Sequence, residues 1–253
     1  KARRAIVAAL GSFQESTKPE MAAKAASVLH TLLERGEPSY YVEASALYAL
    51  GRTRTAKAYD RLVSWLDKSS FNEVLRGGAC HGLGELGEAR VAPVLTELLL
   101  DKKKPMDARA VAAQGLGTLA RTKRLDPSEA QTQAVEALCA ALEDEWELVH
   151  FAAIPALADF ADARAIGPLE RFIARSVDER SARMARRVVL RLRRGTNTRD
   201  ETKKLRGDVE DLREENRKVR DQMRALEARL EAPAKNGATP AKRATARAGK
   251  AEE

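Results

Sequence analysis

Residues 76–87 read Arg76-Gly77-Gly78-Ala79-Cys80-His81-Gly82-Leu83-Gly84-Glu85-Leu86-Gly87, and this stretch decides the fold. Its Leu83-Gly84 has a counterpart 33 residues earlier, Leu50-Gly51, and another 33 residues later, Leu116-Gly117. Leu157 and Leu190 occupy corresponding points 41 and then 33 residues on, and Leu10-Gly11 precedes the series by 40. A recurring period of this size marks a repeat architecture. Between the marks runs a second apolar stripe at helical spacing: Leu62, Val63 and Leu66, then Val94, Leu95, Leu98 and Leu99, then Val135, Leu138 and Leu142. Each unit therefore reads as two antiparallel helices joined by short turns.

The spacing predicts helices near 2–12, 19–35, 39–51, 55–67, 71–85, 89–101, 106–120, 128–143, 146–160, 163–176 and 179–194. Three apparent capping boxes support the starts: Thr17-Lys18-Pro19-Glu20, Ser70-Phe71-Asn72-Glu73 and Asp126-Pro127-Ser128-Glu129. Pro93 and Pro168 fall near helix starts, where a missing N–H matters little. Pro155 lies mid-pattern and predicts a kink. A helix pair cannot bury its apolar face alone, so neighbours stack. The expected fold is all-α, an α-solenoid of about five and a half helix pairs over 1–197.

The phrase at 76–87 resembles a HEAT-type repeat, in particular the short variety first described in phycobilin lyases. The Thr-Pro-Leu-His turn of ankyrin repeats and the Trp/Tyr/Pro pattern of tetratricopeptide repeats are both absent.

Composition agrees. The 253 residues hold 46 alanines and 29 leucines but only 4% aromatics, which suits closely packed helices rather than a β-sandwich. No run approaches about 18 uncharged apolar residues, so no membrane span is expected. Two cysteines, Cys80 and Cys139, make neither a disulfide framework nor a four-Cys zinc site. The chain opens Lys1-Ala2-Arg3-Arg4 on residues that already read as helical, so an N-terminal part is expected to be missing; a cytoplasmic location is the working expectation. Net charge is +8, with 30 basic and 25 acidic groups in 1–197, ten of each in 198–231, and five against two in 232–253.

Residues 198–231 read as a second object, a coiled-coil helix. Thr202, Val209, Asn216, Met223 and Leu230 occupy a positions; Leu205, Leu212, Val219 and Leu226 occupy d. A lone Asn at a favours an in-register parallel homodimer through 201–231. Between g and the following e of a partner, Glu201 would face Arg206, Asp208 Arg213 and Glu215 Arg220, all attractive; Gln222–Glu227 is neutral. Residues 232–253 are Ala/Lys/Pro-rich, lack large apolar side chains, and are expected to be a disordered basic tail. No aromatic is interleaved there to stack a base, so nucleic acid is the less favoured partner.

Reactive chemistry is scarce. His30, His81 and His150 are never four apart. Adjacent Cys80 and His81 point about 100° apart on a helix, so Cys80 reads as core. Gly77-Gly78 and Gly82-x-Gly84 lack the preceding strand of a phosphate loop and read as close-packing positions. Glu143-Asp144-Glu145-x-Glu147 reads as a solvated turn. Arg180, Arg183, Arg187, Arg191 and Arg194 share one face of the last repeat helix. They read as a polar cap or, more sharply, as a candidate surface for an acidic partner.

Three phrases carry a further resemblance: Ser39-Tyr40-Tyr41-Val42-Glu43-Ala44, Ala49-Leu50-Gly51-Arg52-Thr53-Arg54 and Phe71-Asn72-Glu73-Val74-Leu75-Arg76-Gly77-Gly78-Ala79. With the closing helix leading into a coil, they resemble the C-terminal HEAT-like region of bacterial aminopeptidase-N-type zinc metallopeptidases over roughly 1–231. The resemblance implies a non-catalytic domain that packs on an upstream catalytic domain and limits access to its active site. That family's zinc ligands, catalytic Glu and Gly-x-Met-Glu-Asn motif lie upstream and have no counterpart here. It therefore implies no catalytic residue, metal ligand or cofactor in this chain. The alternative is a stand-alone HEAT adaptor that dimerises through its coil and binds protein; a bilin lyase is a distant third.

Overall fold

The structure, a computed structural model, describes residues 2–14, 17–124 and 129–231. Among them every regular element is helical. In chain order these are α1 (Ala2–Leu10), α2 (Pro19–Arg35), α3 (Tyr40–Thr53), α4 (Ala58–Ser64), α5 (Val74–Leu86), α6 (Val91–Leu100), α7 (Met106–Arg121), α8 (Glu129–Ala141), α9 (Glu147–Phe160), α10 (Ile166–Arg175) and α11 (Glu179–Glu231). Short 3-10 turns, Phe71–Glu73 and Ala163–Ala165, lead into α5 and α10. The chain divides into two units, Lys1–Asn197 and Thr198–Glu253. The last helix does not stop near residue 194 as its stripe predicts. It runs on to Glu231, joining the 179–194 and 198–231 helices read from sequence into one.

In the first unit, α1, α3, α5, α7 and α9 lie side by side in one layer. The second layer backs it: α2 packs on α3, α4 on α5, α6 on α7 and α8, and α8 on α9. The repeat leucines form the seam between layers, with Leu50, Leu83, Leu116 and Leu157 fully buried beside Leu62, Leu95 and Leu138. Each contributes about 1.5–3 kcal/mol by leaving water. The last mark departs from the pattern: Leu190 is 54% exposed. Val188, Val189 and Leu192 supply the apolar face of α11 to the core instead.

The glycines set how closely the first layer packs. A Cβ on Gly51 would fall 1.9 Å from the Gly82 carbonyl oxygen, and one on Gly82 would fall 2.5 Å from that of Leu47. Gly84 meets the Gly115 oxygen in the same way at 2.6 Å. Gly77 differs: its nearest neighbour would be Val111 Cγ1 at 3.4 Å, an ordinary contact.

The helix starts depart from the capping boxes. Thr17 Oγ1 donates to Gln14 O at 3.2 Å, and no side chain caps α2. Ser70 Oγ accepts from Leu75 N–H at 3.0 Å, two residues beyond the expected donor. Glu73 returns no bond to Ser70, because Asn72 and Glu73 take left-handed φ of 50° and 52° and turn its carboxylate onto buried Arg76. Arg76 Nε in turn donates to Leu66 O at 2.6 Å. The third box falls on 126–128, outside the described residues, as does the expected disordered tail. Asp178, unflagged by the pattern, caps α11 by accepting from Arg180 N–H at 3.1 Å and Ser181 N–H at 2.7 Å. Pro93 and Pro168 lie in first turns, and α9 runs through Pro155.

The acidic run before α9 is not simply solvated. Asp144 is buried between Arg109, itself 3% exposed, and Lys102, and it accepts from Trp146 N–H at 3.1 Å. Burial pushes its carboxyl up; the Lys102 and Trp146 bonds and the Arg109 charge outweigh this and hold it below the ordinary range.

Gly82→Ala should lose about 2 kcal/mol or more in urea unfolding, since backbone must move. Gly77→Ala should be neutral or gain up to about 1 kcal/mol, because helix propensity improves and space exists. Asp144→Asn leaves a buried guanidinium unpaired and should cost about 3–5 kcal/mol near neutral pH. A depressed carboxyl pKa stabilises above its unfolded value and ceases to do so as pH falls through the folded one. The gap between wild type and Asp144→Asn should therefore narrow below about pH 4 in unfolding measured across pH.

Candidate functional site

A groove of about 470 Å³ crosses the outer face of α1, α3, α5 and α7. The repeat period builds it. Tyr48, His81 and Gln114 stand 33 residues apart, so they take equivalent outward positions on three successive helices and form a row. Arg4 and Tyr41 flank one end, and Thr118 and Arg121 flank the other. The left-handed Asn72-Glu73 pair forms part of the rim, and Gly77 leaves bare backbone in the lining.

The polar groups are held in fixed directions. Thr118 Oγ1 donates to Gln114 O at 3.1 Å, so its lone pairs face Arg121 Nη2 at 2.8 Å and His81 Nδ1 at 3.0 Å. Arginine can only donate, and the hydroxyl proton is already used. With the hydroxyl proton on Gln114 O, His81 carries its own proton on Nδ1 and leaves Nε2 as an acceptor. Burial lowers the His81 pKa and keeps the ring neutral at pH 7. The ring packs edge-on to Tyr48, whose hydroxyl donates to Glu85 Oε1 at 2.9 Å. Arg4 Nε donates to Ser45 Oγ at 3.0 Å, and its guanidinium lies 5.9 Å from the Tyr41 ring centre. Ser45 gives its own proton to Tyr41 O at 2.7 Å, so no base activates it. Cys80 turns into the core, where burial pushes its thiol up to about 12, and it is no nucleophile. Among the described residues no three His, Cys, Asp or Glu side chains are grouped to hold a metal ion. This arrangement can bind and orient; it assembles no acid–base or nucleophile pair.

The residues singled out from sequence lie elsewhere. Arg180, Arg183, Arg187, Arg191 and Arg194 are all exposed along α11, and Arg180 stands 4.9 Å from the Phe151 ring centre. Their neighbours are engaged: Arg175 pairs with Glu143, Arg186 with Glu179 and Arg193 with Glu170. In the second unit Leu205, Val209, Leu212, Val219, Met223 and Leu226 are 46–63% exposed. Asn216 Nδ2 donates to Leu212 O at 3.0 Å. The Leu230 side chain lies outside those described. Reading outward positions across the 33-residue period, rather than the apolar marks alone, would have exposed the Tyr48–His81–Gln114 row.

Residues 26–117 match the family model for HEAT repeats, so the chain carries a HEAT-like repeat domain. No curated protein matches. A solved structure described as an engineered protein is similar at 19% identity, over 76% of this chain and 90% of that one, with a TM-score of 0.44. HEAT repeats suggest a helical scaffold or protein-interaction role, and none of these comparisons links the chain to an aminopeptidase. Among the described residues no helix is long and apolar enough to cross a membrane.

The tautomer is open to direct observation. Nitrogen-15 spectra of the imidazoles should show His81 as the Nδ1–H form and neutral at pH 7. Thr118→Val should remove that preference, whereas an Nε2–H signal in the wild type would contradict the network.

Proposed function

We propose that this chain is a non-catalytic helical-repeat scaffold that dimerises through residues 201–231 and presents its solenoid to a protein partner. The exposed apolar stripe carries this reading. Six a and d side chains, Leu205 through Leu226, are about half or more exposed to water. Burying each against a second copy contributes about 1.5–3 kcal/mol. The Asn216 amide would exchange its bond to Leu212 O for one across a parallel pair, which sets register and copy number. The charges at g and e favour the same arrangement.

A narrower reading comes from the sequence resemblance over roughly 1–231: a domain packed on the catalytic domain of a zinc aminopeptidase, restricting access to it. That reading requires a His-Glu-x-x-His motif in the coding sequence upstream of Lys1, and sequencing that region decides it.

Sedimentation velocity should return a particle of twice 27.7 kDa that dissociates on dilution. Leu212→Asp with Val219→Asp should leave a monomer whose repeat unit melts unchanged. Asn216→Leu should stabilise the coil and broaden its range of oligomers. A wild-type monomer at every concentration would sink the dimer.

A further inference from the structure

We infer that the groove across α1, α3, α5 and α7 is a docking site for an extended, acidic segment of a partner protein. This rests on the scaffold reading and names the site and the chemistry that it takes.

Charge supplies the first argument. Arg3 is neutralised by Glu37, and Arg121 by Asp159. Arg4 has a hydroxyl and a ring face but no carboxylate partner among the described residues. The acid in the lining, Glu73, is committed to buried Arg76. Glu85 receives the Tyr48 hydroxyl. One end of the groove therefore holds an unneutralised guanidinium beside Tyr41, which is 57% exposed. A ligand carboxylate completes it, and an arginine next to a tyrosine is the pairing from which strong contacts are usually made.

Shape and hydrogen bonding supply the second. The Tyr48–His81–Gln114 row steps across adjacent helices at roughly 8–10 Å per step. An extended chain advances about 3.3 Å per residue, so six or so residues span the row. With its proton on Nδ1, His81 offers Nε2 as an acceptor, and the Gln114 amide beside it carries both a donor and an acceptor. These suit main-chain N–H and C=O groups, which an extended segment has free and a helix has already used. Gly77 lets that backbone come close, since only the Val111 side chain, with Cγ1 at 3.4 Å, approaches its Cβ position. The left-handed Asn72 and Glu73 are held by the Glu73–Arg76–Leu66 network, which keeps this rim in place.

The full chain should be panned against phage displaying random peptides of roughly 12 residues, about twice the span of the row. Enriched peptides are then synthesised and their binding measured by fluorescence anisotropy. They should carry Asp or Glu, weaken about tenfold or more with Arg4→Gln, and be lost with Gly77→Leu. Arg187→Gln, on α11, should change nothing. Arg4 is exposed, so its variant keeps the test valid even if Gly77→Leu unfolds. Failure to enrich acidic peptides overturns the inference, and so does binding that survives both groove variants. Binding of a single-stranded oligothymidine through the same residues would overturn it in favour of nucleic acid. Sedimentation separates the two claims: a dimer that binds no peptide refutes the groove alone, whereas a monomer refutes the assembly reading.

Discussion

Backbone contact between neighbouring helices of one layer is the constraint on which the rest depends. Where Gly51 faces Gly82 and Gly84 faces Gly115, the helices approach to a distance that no side chain allows. A glycine inside a helix costs about 1 kcal/mol relative to alanine. Here the cost recurs in α3, α5 and α7 and is offset by closer packing of the leucine seam behind it. The same approach brings outward positions of successive units within reach of one another. Tyr48 can touch His81, and His81 can touch Thr118, because α3, α5 and α7 are held this tightly. The groove follows from the glycines.

Arginine has two separate uses in the first unit. Some arginines finish helix ends by donating to carbonyls that have no partner inside the helix. Arg54 and Arg124 close on Glu85 O and Leu86 O at the end of α5, and Arg175 closes on Leu142 O. Arg76 and Arg109 are buried, each against one carboxylate. Much of the basic excess is therefore structural, and a high isoelectric point alone says little about partners. What remains informative is Arg4 at the groove, which meets no carboxylate among the described residues, and the exposed arginine stripe on α11.

Local signals misled where tertiary contacts competed for the same atoms. Ser70-Phe71-Asn72-Glu73 has the spacing of a capping box, yet Glu73 serves Arg76. A buried guanidinium without a carboxylate costs more than a lost cap. The acidic run at 143–147 reads as solvent-facing, yet Asp144 is taken inward by Arg109 and Lys102. Leu190 keeps the period but faces water, because α11 turns Val188, Val189 and Leu192 to the core instead.

From the sequence by itself came the all-helical repeat, the helix positions, the packing role of the glycines and the heptad stripe of 201–231. All of these are periodic, and periodicity is a property of the chain read in order. The tertiary structure alone decided that Arg109 meets Asp144, that the Thr118 hydroxyl faces His81 Nδ1, and that Tyr48, His81 and Gln114 line one groove. Those outcomes depend on distances between residues some 30 to 40 positions apart. Such distances are set by how closely whole helices stack, which no single stretch of sequence encodes.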